Sequence, residues 1–288
     1  MARIADLLAA GPTRSFEFFP PKTDEMERQL DKTVAELAQL QPSFVSVTYG
    51  ALGSTRERTR EVVLRINREY PFPCMPHLTC VGHRRADIDA LLDEYAANGI
   101  ENILALGGDP PADGSDPGGD FAHASELIEV VRAHPGRFSI GVAAHPEGHP
   151  RSPDRVSDRR HLARKLAMAD FGITQFFFDV RHYLRMLDEL GERGCTTPVI
   201  PSVMPIISVA GVRRMATMNG SEIPDELNER LDAVADDPDA VVALGIDVAT
   251  DLAATLLDQD VPGLHLYALN RPTSVRRIYE NLGLGPEV

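Results

Sequence analysis

What most constrains this chain is an alternation. Eight short apolar runs, rich in β-branched or aromatic residues, are separated by longer amphipathic stretches. The runs lie at residues 15–19, 44–49, 75–79, 102–106, 139–144, 173–178, 199–203 and 263–269. Most are continuous rather than alternating, as strands of a parallel sheet buried on both faces require. Between them, residues 24–40 place Met26, Leu30, Val34, Leu37 and Leu40 on one stripe. Residues 86–98 repeat the pattern with Ile88, Leu91, Leu92 and Tyr95 and stop at Gly99. Residues 124–132, 161–169 and 183–193 read as helices in the same way. Extra helical sequence at 224–260 precedes the last strand. Eight strand–loop–helix units predict an α/β chain closed into a (β/α)8 TIM barrel, one domain over 1–288. An open doubly wound sheet is the competing architecture, but no G-x-G-x-x-G follows the first strand.

Barrel enzymes build their sites from loops at the C-terminal ends of the strands. Two such loops are long here, 110–120 and 147–158. The polar residues within or just after the strands are Glu17, Thr48, His77, Asp109, His145 with Glu147 and His149, Gln175 with Asp179, and Asn270 with Arg271. Glu17 sits among Phe16, Phe18 and Phe19. A carboxyl group so desolvated favours its protonated form, which suits a general acid; a strand-edge or salt-bridged glutamate would read identically. Asp109 follows Gly107 and Gly108 and precedes two prolines, a frame that admits a ligand close to the backbone. It could stabilise a developing cation, or simply form a turn. In a strand, Gln175 would face the barrel interior and offer both a donor and an acceptor to a heterocycle.

Charge and cysteine content exclude other classes. Lys plus Arg total 29 against 43 Asp plus Glu, a formal charge of -14. Neither nucleic acid nor an anionic membrane is the partner expected of such a balance. Cys74, Cys80 and Cys195 are odd in number and lack C-x-x-C spacing, so neither a disulfide framework nor structural zinc is expected. The first ten residues carry Asp6 and give way to Gly11 and Pro12, unlike a secretory signal, and no run approaches the ~20 apolar residues of a membrane span. A cytoplasmic protein is the expectation. Its oligomeric state is not readable.

Seven segments together resemble the methylenetetrahydrofolate reductase family: FEFFPPKT at 16–23, FVSVTYG at 44–50, PHLTC at 76–80, GDPP at 108–111, PEGHP at 146–150, ITQFFFD at 173–179 and LNR at 269–271. They run in order along nearly the whole barrel. The resemblance implies reduction of 5,10-methylenetetrahydrofolate to 5-methyltetrahydrofolate. It makes Glu17 the acid that protonates N10 and opens the ring to a 5-iminium cation. Asp109 would stabilise that cation through the pterin, Gln175 would serve folate and nicotinamide alike, and Arg271 would approach folate.

Typical bacterial members relay hydride through bound FAD. Thr48, His77, Asp158, Arg164 and Lys165 match FAD-contacting positions of the family, and Gln175 adjoins them. The family's Arg is Gly107 here, its Tyr is His145 and its Asn is His161. Its loop aromatic is replaced near Phe121 and His123, and a mobile Phe aligns near Val209. Losing one charge-assisted phosphate contact costs roughly 1.5–3 kcal/mol, about 10- to 100-fold in affinity. The expectation is that NADH occupies the vacated site and passes hydride directly to the iminium, with tightly bound FAD as the alternative. No basic cluster argues for a 2′-phosphate, so NADH is expected over NADPH. Two further alternatives are a metal-dependent barrel hydrolase or lyase using His77, Asp109, His145 and His149, and a folate-binding protein without catalysis. No metal is expected.

Overall fold

The computed structural model describes residues 2–49, 56–109, 115–116 and 118–285. Nine strands form one sheet in the order β7-β6-β5-β4-β3-β2-β1-β9-β8, every pairing parallel. They are β1 (Thr13–Phe18), β2 (Phe44–Val47), β3 (Cys74–Thr79), β4 (Asn102–Leu106), β5 (Ser139–Ala144), β6 (Phe171–Thr174), β7 (Val199–Ile200), β8 (Ser202–Val203) and β9 (Gly263–Tyr267). β7 and β8 are one physical strand interrupted at Pro201, which has no N–H to give a ladder. Its first half pairs with β6 and its second with β9, so the ring closes as an eight-stranded barrel.

The helices are α1 (Ile4–Ala10), α2 (Asp24–Ala38), α3 (Arg56–Glu69), α4 (Arg85–Ala97), α5 (Ala124–Ala133), α6 (Arg155–Met168), α7 (Val180–Gly191), α8 (Val209–Asn219), α9 (Asp225–Ala233), α10 (Pro238–Leu257) and α11 (Pro272–Asn281). Three of the elements named from the sequence differ in extent or character, and α3 is not among those named. The sixth strand is Phe171–Thr174 rather than 173–178, so Gln175 and the three phenylalanines follow it as loop. α6 begins at Arg155, six residues before the expected start, because Asp154 caps it by accepting the Ser157 N–H at 2.7 Å. α10 is long and apolar enough to cross a membrane, with a mean hydropathy of 1.8, against the expectation that no run approaches that length. It instead lays Val241, Gly245, Ala249, Leu252, Ala253 and Leu256 against the barrel and turns Asp247 and Asp251 outward.

Strand pairing fixes which side chains share the interior. Ser15 and Glu17 of β1 lie in register with Phe44 and Ser46 of β2 and with His265 and Tyr267 of β9. Lower in the barrel the inward residues are apolar: Phe44, Met75, Leu104, Phe171, Ile173 and Ile200 pack together around Ile4 of α1. Gly141 makes room for this layer, since a Cβ there would lie 2.6 Å from the Phe171 ring and 2.9 Å from Leu104. α1 closes the floor. Its Ile4 N–H donates to Asn102 Oδ1 at 2.6 Å and its Ala5 N–H to Ser139 Oγ at 3.1 Å, satisfying first-turn donors that a helix cannot bond itself.

Candidate active site

The upper interior is polar. Glu17 is 5% exposed and His265, on the neighbouring strand, is fully buried. Glu17 Oε2 lies 3.4 Å from His265 Nε2 and 3.4 Å from His77 Nε2. The first contact has hydrogen-bond geometry, whereas His77 Nε2 is buried without a hydrogen-bond partner. His265 is held from below, with Ser15 Oγ 2.7 Å from its Nδ1 and Ser46 Oγ 3.3 Å from its Nε2. Burial pushes the His77 imidazole down to about 4, the opposing pull of Glu17 being weaker, so this ring is neutral at pH 7. A carboxyl group facing one neutral imidazole and hydrogen-bonded to a second can hold or pass a proton without water between them. Sequence reading missed His265, because a lone histidine in an apolar strand carries no spacing signal.

Gln175 projects beside this group. Its N–H donates to Ala144 O at 2.7 Å, and its Oε1 accepts from the Phe176 N–H at 2.9 Å and the Tyr267 hydroxyl at 2.8 Å. Tyr267 is in register with Glu17, so one residue adjoins both. Leu269 and Asn270 follow β9 with φ of 50° and 52°, a left-handed conformation that costs free energy in non-glycine residues. The Asn270 amide accepts the Phe19 N–H at 3.0 Å and donates to Phe19 O at 2.8 Å, tying the ends of β1 and β9 together above Glu17. Arg271 is exposed at the start of α11. Thr48, half-buried beyond β2, donates its N–H to Phe18 O at 2.9 Å.

A second group surrounds the loop after β5. Arg159 is fully buried and donates to His145 O at 3.0 Å, Pro146 O at 2.5 Å and Glu189 Oε2 at 2.6 Å. Asp158 accepts from the His149 N–H at 3.0 Å, from the Ser152 hydroxyl at 3.1 Å and from Arg159 at 2.5 Å. Lys165 Nζ donates to Ala143 O at 3.0 Å, and burial lowers its pKa. His145 and His149 meet edge to face at 4.6 Å, and burial pushes His145 down to about 3. His161 and Arg164 are exposed on α6. Gly107 leaves open space, since a Cβ would approach nothing nearer than Ala124 N at 4.0 Å. Gly108, at φ 86°, is obligatory: a Cβ would lie 2.4 Å from Val81 Cγ1. Arg151 Nη2 donates to Gly108 O at 3.2 Å, bringing a cation to the backbone beside Asp109.

Asp109 is exposed rather than buried, and the 110–114 segment of the expected loop lies outside the described residues. Phe121 stacks beneath Arg85, with the guanidinium 5.7 Å from the ring centroid, and His123 caps α5. Val209 is half-buried at the start of α8. The segment α8–α10 forms one wall of the mouth: Met204, Ile206, Val212, Leu227, Leu231 and Val241 cluster with Phe176 and Tyr267. Among the described residues, His77, Asp109, His145 and His149 do not converge as ion ligands; only Glu147, His182 and Glu222 do. There, His182 Nδ1 accepts from Arg185 at 3.0 Å. That leaves the proton of a neutral ring on Nε2, 3.8 Å from Glu147 and 3.7 Å from Glu222.

Comparison with known proteins adds four findings. The family model for methylenetetrahydrofolate reductase matches residues 3–283. The chain is 36% identical over 273 residues to 5,10-methylenetetrahydrofolate reductase of Escherichia coli K12, covering 94% of this chain and 91% of that one. It is 38% identical over 285 residues to methylenetetrahydrofolate reductase (NADH) 1 of Arabidopsis thaliana, covering 94% of this chain and 48% of that one. A Clostridium thermocellum protein described as binding two copies of 5-methyl-5,6,7,8-tetrahydrofolic acid has a similar fold, with TM-score 0.66, 16% identity and 96% coverage of both chains.

Proposed function

The chain belongs to the methylenetetrahydrofolate reductase family, and we propose that it reduces 5,10-methylenetetrahydrofolate with hydride taken directly from NADH. The observation that carries the chemistry is Glu17, 5% exposed inside the barrel and bonded to His265. One proton serves the contact between Glu17 Oε2 and His265 Nε2 whichever atom holds it. Delivered from Glu17 to substrate N10, it breaks the bond between N10 and the bridging carbon and leaves a 5-iminium cation. Hydride from the nicotinamide then adds to that carbon, giving the methyl group and NAD+. Asp109, exposed at the rim after β4, would stabilise the developing charge electrostatically. Arg271 approaches the folate.

Direct transfer is favoured by the donor set around the loop after β5. Asp158 and Lys165 match flavin-contacting positions of the family, but both Asp158 oxygens already accept hydrogen bonds within the protein and Lys165 Nζ gives one N–H to Ala143 O. His161 and Arg164 are exposed on the outer helix, and residue 107 has no side chain to reach a phosphate. This set supports a reading without tightly held FAD, while Thr48 and the unbonded His77 Nε2 are the matching positions that stay open to a ligand. Arg151, bound to Gly108 O, brings a cation beside the vacated position and would meet the NADH pyrophosphate. The NADH named in the Arabidopsis relative supports the choice of donor.

An absorbance spectrum of freshly purified protein, paired with an NADH-dependent assay without added flavin, tests the reading. Activity in colourless protein is the expected result. Yellow protein with stoichiometric FAD, or activity only after adding flavin, would restore the relay.

A further inference from the structure

A glutamine side chain can turn either its oxygen or its amino group towards a ligand, and the two faces recognise opposite chemistry. Gln175 has no such freedom. The Phe176 N–H can only donate, so the group 2.9 Å from it must be Oε1. The Tyr267 hydroxyl occupies the second lone pair of the same oxygen at 2.8 Å. Both acceptor sites are therefore filled, while among the described residues no hydrogen bond engages Nε2. Gln175 is half-buried, so its amino group remains within reach of a ligand at the mouth.

We propose that Tyr267 is a positioning residue that fixes the polarity of Gln175, making it a pure donor that selects heterocycles presenting a carbonyl or ring-nitrogen acceptor. The inference rests on reading the mouth as the folate and nicotinamide site. Both ligands carry such acceptors, a pterin carbonyl and ring nitrogens in one and a carboxamide oxygen in the other. Tyr267 is well placed to hold this role. It is 8% exposed, wedged edge to face against Phe176 at 6.2 Å and His265 at 6.4 Å. Burial, reinforced by Glu17, raises its pKa well above the ordinary value of 10.0, so the hydroxyl keeps its proton. A phenylalanine would fill the same space yet leave one lone pair of Oε1 open, with a single N–H to resist rotation of the amide.

The test is binding of 5-methyltetrahydrofolate, and separately of NADH, by wild type and variants with matched thermal melts. Tyr267→Phe should weaken both ligands by about 3- to 10-fold, the equivalent of one neutral hydrogen bond. In a Gln175→Ala background the same change should have no further effect, whereas a merely structural role would persist there. Gln175→Glu should lose about 30-fold or more, because the second oxygen meets a ligand acceptor, with partial recovery as the pH is lowered. Wild-type binding that Tyr267→Phe leaves unchanged, or equal binding by Gln175→Glu, overturns the inference alone. Failure of the wild type to bind either ligand overturns the proposed function and this inference together.

Discussion

The two ends of the barrel are built by the same strands and filled in opposite ways. At the floor, Phe44, Met75, Leu104, Phe171, Ile173 and Ile200 close around Ile4, and the polar atoms of Asn102 and Ser139 are spent on the plugging helix. One inward position further along, β2 and β3 present Ser46 and His77, and β1 and β9 add Glu17 and His265. The floor is filled by apolar side chains, with Thr13 Oγ1 buried at the start of β1 without a hydrogen bond. At the mouth His77 Nε2 is buried without a hydrogen bond, and left-handed non-glycine residues occur at both ends, Leu269 and Asn270 above and Gln41, Arg137 and Asp260 in the turns leading into strands below. The ends thus differ in what fills them, an apolar plug at one and a cluster of ionisable groups at the other, the end where barrels generally build their sites.

The sharpest way to break this division is Glu17→Gln, which is nearly isosteric. Folate reduction should fall by roughly 10²- to 10⁴-fold, the usual contribution of a general acid, with the melt and nicotinamide binding unaltered. Unchanged turnover would remove Glu17 from the chemistry. At the floor, Ile4→Ala should cost roughly 2–4 kcal/mol of stability while turnover per folded molecule stays constant. Urea melts alongside rate measurements would check it, and a lost rate at full stability would show that the ends are not separable.

Acidification should probe the mouth from the stability side. His77 and His145 have folded pKa values of about 4 and about 3 against 6.5 for the free side chain. Between these limits the unfolded chain binds more protons than the folded one, so stability present above pH 6.5 is lost as the pH falls towards 4. The loss is at most roughly 2 kcal/mol per histidine at pH 5. Chemical denaturation at pH 7 and pH 5 should show it, and His77→Asn should flatten the slope; a flat wild-type profile would contradict the buried neutral rings. The smallest effect expected is from Asp109→Asn. Exposure of Asp109 leaves its charge screened, so folate reduction should slow by roughly 3- to 10-fold, and an unaltered rate would separate it from the cation.

Most of the barrel was legible because buried parallel strands are continuous apolar runs, and seven of the eight runs overlap the observed strands almost fully. The exception, at 173–178, misled because Phe176, Phe177 and Phe178 remain buried or half-buried after the strand has ended, so hydrophobicity outlasts pairing. α3 passed unnoticed since its charged residues, from Arg58 to Glu69, dilute the stripe of Val62, Val63 and Ile66. At the site, Glu17 stood out as a carboxyl among aromatics. His265, Tyr267 and Arg159 did not, because their roles depend on which strand neighbours which loop. Asp158 shows the converse: family position suggested ligand contacts, and only the fold reveals that both its oxygens already accept hydrogen bonds within the protein.

Direct hydride transfer is most cleanly tested by following the hydrogen itself. NADH deuterated at both nicotinamide C4 positions would be turned over with 5,10-methylenetetrahydrofolate in ordinary water, and the methyl group of the product analysed by mass spectrometry. The account predicts one deuterium in every new methyl group, because the transferred hydrogen never meets solvent. Product whose methyl group has lost the label to water would mean a relay through an exchangeable flavin N–H, and would contradict it.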